Sequence, residues 1–207
     1  MGFVKSDQQE FSGDEQRKSS RDLAGLLHTL ATGDTASRRW AARDLIQFPQ
    51  AVPELLECLE NEPDPTVREA IFITLTQTDS SDAVNGLVAC LRSEEANLRN
   101  DAIEALKLMP DSVAAVMHEL LHDSDPDVRI FAVNILESLR HTKVEEWLLD
   151  VIQHDGHVNV CATAVDLLAE VGSVAAEKPL LALRGRFPEE PFMHFAIDLA
   201  LSRIKGG

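Results

Sequence analysis

One segment recurs through this chain at intervals of 30 to 32 residues, and that recurrence limits the fold more than any other feature. The frame D-x-x-x-R-x-x-A-x-x-x-L runs from Asp34 to Leu45 and returns from Asp125 to Leu136. Near copies run from Asp64 to Leu75 and from Glu95 to Leu106. Two further copies keep the apolar positions but replace the arginine, with Cys161 before Ala164 and Leu168, and Met193 before Ala196 and Ala200. The six anchor residues are therefore Arg38, Arg68, Arg99, Arg129, Cys161 and Met193. A fixed period in this range is the signature of stacked supersecondary units, because one such unit cannot bury its own apolar face.

Each anchor segment reads as a helix. Apolar residues three and seven positions after the anchor lie on one helical face. An acid stands four residues before the anchor at Asp34, Asp64, Glu95, Asp125 and Glu189, while the fifth copy has His157 there with Asp155 two residues earlier. Proline follows the acid at Pro65 and Pro126. An acid suits a helix N-cap, and proline suits the first turn. Between anchors a second helical pattern appears, for example Val52, Leu55, Leu56 and Leu59, or Val144, Trp147, Leu148 and Val151. Short breaks separate the two patterns, at "FPQ" (48–50), "TDSSD" (78–82), "MPD" (109–111), "RHT" (140–142) and "VGS" (171–173). The expected unit is a helical hairpin. The expected whole is an all-α solenoid of about twelve helices: a lone helix near 20–31, five pairs, and a last helix near 189–204.

Composition agrees with this reading and narrows function. Alanine and leucine dominate the apolar residues and tyrosine is absent, which favours helix over strand. The formal net charge of −16 repels phosphate backbones, so nucleic acid is not an expected partner. No apolar run approaches the length of a membrane span. Three cysteines, Cys58, Cys90 and Cys161, lie far apart without a C-x-x-C pair, which reads as reduced thiols in a cytoplasmic protein. Residues 1–19 are polar, with little to bury, and read as a disordered tail. The loose myristoylation match at Gly2–Ser6 falls within that tail and is read as part of it.

The frames at 34–45, 64–75, 95–106 and 125–136 resemble the HEAT-repeat class, in particular the short bacterial HEAT-like repeat also found in phycobilin lyase subunits. The resemblance spans residues 20–204. It implies a right-handed superhelix whose second helices line the concave face. That repeat type does not by itself assign a function.

Three constellations invite functional readings. His118-Glu119-Leu120-Leu121-His122 is the H-E-x-x-H pattern of zinc peptidases, with both histidines one turn apart on a helix. In the repeat frame Leu120 and Leu121 belong to the core stripe; the metzincin-type extension is unmet at Asp125 and Val128, the third-ligand candidates by distance, Glu145 and Glu146, fall in the adjacent repeat's equivalent helix, and no strand edge for substrate is visible. No metal or other cofactor is therefore expected, and His118 and His122 remain only a metal alternative. The acid–arginine column, Asp34/Arg38, Asp64/Arg68, Glu95/Arg99 and Asp125/Arg129, reads as a structural ladder rather than a phosphate-binding row. The second helices carry many acids, so their face should be acidic. The primary expectation is accordingly a non-enzymatic scaffold presenting an acidic concave groove to a protein of basic or mixed charge. Its contacts would come from Glu54, Glu57, Asn85, Glu119, Glu145 and Glu146. The alternatives are a subunit of a phycobilin-lyase-like factor that attaches or detaches a chromophore, and a metal-dependent hydrolase acting through His118, Glu119 and His122.

Overall fold

The computed structural model describes residues 21–206; the tail expectation and the myristoylation match lie outside them. Twelve α-helices and three short 3-10 turns account for the described residues, with no strand among them. No helix among them is long and apolar enough to cross a membrane. They fall into two compact units, one ending at Ala83 and one beginning at Val84.

In the first unit, α1 (Leu23–Thr32), α2 (Thr35–Asp44), α3 (Val52–Asn61) and α4 (Pro65–Thr78) are followed by the start of α5 (Ser81–Cys90). The second unit takes the rest of α5 and continues through α6 (Ala96–Lys107), α7 (Pro110–Leu121), α8 (Pro126–Leu136) and α9 (Val144–His154). It ends with α10 (Val158–Val171), α11 (Glu177–Arg186) and α12 (Pro191–Gly206). Helix count and order follow the expectation from the repeat. The bounds shift by two or three residues at the ends: the first helix begins at Leu23, and the last begins at Pro191 and ends at Gly206.

The starts of the anchor helices have a local cause. Asp34 accepts a hydrogen bond from the Ser37 backbone N–H at 2.7 Å, Asp64 from that of Thr66 at 2.9 Å, and Asp125 from that of Asp127 at 2.9 Å. Each carboxylate thus satisfies a donor that the helix cannot pair internally. Pro65 and Pro126 occupy the first helical position, where no N–H is required.

Packing explains the rest of the frame. The alanines three residues after the anchor, Ala41, Ala102, Ala132 and Ala164, are fully buried, and Ile71 fills that position in the second copy. Their small side chains let successive anchor helices lie close, as α2 does against α4 and as α8 and α12 do against α10. The leucines seven residues after the anchor, Leu45, Leu75, Leu106, Leu136 and Leu168, are buried to 1% exposure or less. Each such side chain contributes roughly 1.5–3 kcal/mol on burial. In the first unit, Thr74 also ties α4 to α2, donating from its hydroxyl to the Ala42 carbonyl at 2.8 Å. Gly172 ends α10 where no side chain fits: an added Cβ would lie 2.4 Å from the Leu168 carbonyl oxygen.

Candidate functional site

Two arginines of the repeat frame, Arg38 and Arg129, take their hydrogen-bonded acid from beyond the frame. Asp34 and Asp125 serve as caps, as above. Arg38 instead forks onto Glu62, with Nε and Nη2 at 3.0 and 2.9 Å from the two carboxylate oxygens. Arg129 forks onto Asp155 in the same way, at 2.6 and 3.0 Å. Glu62 follows α3 and Asp155 follows α9, so each pair joins the start of a hairpin's first helix to the end of its second. The acids are buried, with side chains 3% and 6% exposed, and each also accepts a backbone N–H two residues on. These bonds hold both guanidinium groups firmly charged: hydrogen bonding to Glu62 raises Arg38, and hydrogen bonding to Asp155 raises Arg129. The anchor side chains also reach a carbonyl before their own helix. Arg38 donates to Gly33, Arg99 to Ser93 and Arg129 to Asp123. Cys161 takes over this role with its thiol, which faces the Asp155 carbonyl at 3.3 Å. At Arg38 and Arg129 the column ties the two helices of one hairpin together. Its true acids, Glu62 and Asp155, stand six residues before the next anchor, a spacing legible in the sequence but overlooked there.

In the second unit an open groove of about 720 Å³ lies along α7 and α9. His118, Lys143, Glu145, Glu146, Trp147 and Asp150 supply its chemistry, and Thr142, Leu149 and Gln153 complete its lining. Its floor follows from the amphipathic pattern of α9. Val144, Leu148, Val151 and Ile152 turn inward and are buried, which leaves Glu146, Trp147 and Asp150 on the flank. The loop before α9 shapes one end. The Lys143 N–H donates to His141 Nδ1 at 3.2 Å, and the His141 ring stacks on Trp147 with centroids 5.0 Å apart and planes 16° from parallel. One indole face is thereby covered and the whole ring is held in place. Trp147 is half-buried, not a core residue, and Trp40 in the first unit is 39% exposed with the Arg21 guanidinium 5.5 Å from its ring centroid. Glu145 is anchored by accepting the Ser173 N–H at 2.6 Å.

The histidine pair sits at the edge of this groove. The rings of His118 and His122 lie with centroids 4.4 Å apart and planes tilted by 45°. His122 directs Nδ1 to the His118 carbonyl at 2.9 Å and Nε2 to Asp150 at 3.3 Å. Asp150 also holds His154 Nδ1 at 2.9 Å. Both ring nitrogens of His122 therefore face oxygen, so His118 and His122 are not poised to grip one ion as the H-E-x-x-H pattern would require. Among the described residues no group of three or more His, Cys, Asp or Glu is arranged to hold a metal.

Of the acids proposed as partner contacts, Glu145 and Glu146 come together at the groove. Glu119 is exposed on α7 beside His118 but does not line it. Asn85 is exposed on α5, and Glu54 and Glu57 are exposed on α3 of the first unit. A flat aromatic face, one ammonium and several carboxylates suit a planar molecule that has both N–H donors and an acidic group. That combination was missed in the sequence because Trp147 was assigned to the core stripe.

The last helix carries a second unforeseen feature. Phe192, Phe195 and Leu199 are 56%, 69% and 41% exposed. At the same frame positions as Phe192, the residues Val67, Leu98, Val128 and Val160 are buried to 4% or less.

A family model described as HEAT repeats matches residues 23–107 and 113–190, most of the chain. The chain belongs to the HEAT-repeat family. Within it, the chain is 32% identical over 162 residues to the bilin biosynthesis protein PecE of Mastigocladus laminosus. It is 28% identical over 159 residues to the protein of the same name from Nostoc sp. (strain PCC 7120). These matches take in 76% and 75% of this chain, and the chain spans only about 60% of the length of those relatives. A solved complex of CpcE and CpcF of phycocyanin lyase from Nostoc is 15% identical with a TM-score of 0.36, covering 98% of each chain; at that score it supports no inference. The two PecE matches overturn the expectation of a general scaffold with an acidic groove for a protein partner. They favour the chromophore-factor alternative, because proteins that share its sequence through three-quarters of the chain are bilin biosynthesis proteins.

Proposed function

We propose that this chain is a subunit of a factor that attaches a bilin to an acceptor protein or detaches one from it. The observation that carries the reading is the similarity to two bilin biosynthesis proteins along three-quarters of the chain, at 32% and 28% identity. The α7–α9 groove supports it, since its volume lies within the roughly 300–1,000 Å³ usual for small-molecule sites. The proposal includes a second protein chain as partner, as the resemblance of the repeat to phycobilin lyase subunits implies. The cytoplasm is the proposed location, in keeping with three free cysteines spread along the chain.

The test is a transfer assay. Purified chain is mixed with a linear tetrapyrrole, an apo acceptor protein and a candidate partner subunit, and covalent adduct is read by zinc-enhanced fluorescence in a denaturing gel. Adduct formed or lost faster than in the mixture without this chain is the expected result. Rates unchanged by the chain, with every candidate partner encoded beside it, refute the proposal.

A further inference from the structure

The groove along α7 and α9 has a chemistry that selects among small molecules, and resting on the function proposed above, we infer that it is the seat of the linear tetrapyrrole. Three observations converge on one ligand class. Trp147 lines the groove with a half-buried indole, a flat ring whose orientation the stacked His141 fixes at 5.0 Å. A conjugated pyrrole system is flat and polarisable, and it stacks on such a face with little loss of conformational freedom. Carboxylates surround this platform on the same helix: Glu146 one residue before it, and Asp150 three residues after it. Pyrrole nitrogens carry N–H groups that need acceptors once they leave water, and a carboxylate is the strongest acceptor available. Lys143 stands at the end of the groove one turn before Trp147, the sole cation in its lining. A linear tetrapyrrole also bears propionate side chains, and an ammonium at one end gives the molecule a direction.

The arrangement disfavours two other occupants. A nucleotide packs its charges into one phosphate chain, which would meet Glu145, Glu146 and Asp150 against a single lysine, whereas the propionates of a bilin are separate groups of which one pairs with Lys143. A divalent metal would need ring nitrogens that His122 already directs at the His118 carbonyl and at Asp150. Asp150 is itself oriented by His122 and His154, so it lies fixed in the wall and does not have to be ordered by the ligand. Glu146 is therefore assigned to the pyrrole N–H groups, Trp147 to the ring face, and Lys143 to one propionate.

Biliverdin is the probe, titrated into the full-length chain. The variant Trp40→Phe leaves Trp147 as the single tryptophan, so quenching of its emission reports binding, and the substitutions that follow assign that binding to the groove. Saturable quenching with an induced circular-dichroism band in the visible is expected. Trp147→Leu should weaken binding roughly tenfold, read from the visible band. Glu146→Gln should weaken it severalfold. Lys143→Glu should weaken binding of the diacid but not of biliverdin dimethyl ester, which isolates the propionate contact. Glu146 and Lys143 are exposed, so both variants fold, and far-ultraviolet circular dichroism verifies Trp147→Leu. Wild-type chain that binds biliverdin while all three variants bind equally well overturns the groove assignment. So does wild-type chain that gives no saturable binding yet is active in the transfer assay. In both cases the proposed function stands, and only failure in the transfer assay removes it.

Discussion

The fork between Arg129 and Asp155 supports a quantitative prediction. The two side chains are 15% and 6% exposed and share two short hydrogen bonds. Replacing Arg129 with methionine keeps the packing of the aliphatic stem but strands a buried carboxylate. Breaking a buried pair in this way costs about 3–5 kcal/mol. Asp155 keeps one further donor, the His157 N–H at 2.8 Å, so the lower end of that range, about 3 kcal/mol, is expected. Asp155→Asn should cost less, about 1–2 kcal/mol, because the amide oxygen still accepts from Arg129 and the backbone. In Arg129→Met/Asp155→Asn the stranded charge is gone, so the double variant should fall short of the sum by about 1–2 kcal/mol. Urea unfolding followed by circular dichroism measures all four proteins. The Arg129→Met change alone should lower Tm by roughly 6–12 °C for a chain of this size. Arg92→Met provides the contrast: its pair with Asp123 is half exposed on the arginine side, and its loss should cost less than about 1 kcal/mol. Additive single effects, or equal costs at Arg92 and Arg129, would refute the claim that burial gives the fork its weight.

Other consequences can be checked more briefly. Cys161 is buried and its thiol is pushed up to about 11, chiefly by desolvation, so iodoacetamide at pH 8 should leave it intact in the native protein and modify it after unfolding, as peptide mass mapping would show. Asp34 and Asp64 are held below the ordinary carboxylate range, Asp34 by the Ser37 N–H and Asp64 by Thr66. Their folded values lie below their unfolded ones, so the stability they contribute is complete above the unfolded range and is lost as pH falls through the folded values, below about pH 4. Asp34→Asn/Asp64→Asn should match the parent near pH 7, since asparagine also caps, and should show a shallower drop in Tm between neutral and acid pH. Phe195 is 69% exposed, so Phe195→Ser should leave the unfolding midpoint within the roughly 0.5 kcal/mol usual for surface changes. A larger loss would mean that the side chain is covered in solution.

The repeat made the helices legible before any coordinates, for a physical reason. The small residue three positions after the anchor and the leucine seven after it are dictated by helix-on-helix packing, and packing recurs with each unit. Leu45, Leu75, Leu106, Leu136 and Leu168 sit in equivalent surroundings, so one copy predicts the others. The turn after α2 was less legible. Two 3-10 turns, Leu45–Gln47 and Pro49–Ala51, fill what reads as a plain break, because sequence does not show how the last carbonyls of a helix are satisfied. The groove was hidden for the opposite reason from the core: it does not repeat. Trp147 shares the apolar stripe of α9 in one dimension, and its stacking on His141, six residues away across a loop, is a contact that a one-dimensional pattern does not show. The acidic residues of the second helices were easy to find but uninformative. Glu145 is occupied by the Ser173 backbone, and Asp150 by two histidines.

Arg38 with Glu62, and Arg129 with Asp155, each close the open end of one helical hairpin. In the hairpin of α10 and α11 both members are absent together: Cys161 stands in the arginine position and Phe187 in the acid position. Arg186, at the end of α11, reaches back instead to the carbonyls of Ile152 and Asp155. A hairpin that contains its own counter-charge is electrically self-sufficient. Copying, deleting or exchanging residues 33–62 or 124–155 as a block would leave no buried ion without its mate. Such blocks are natural units for lengthening or shortening the protein. A cut that falls inside one of them would separate the charges and reveal itself as an insoluble product.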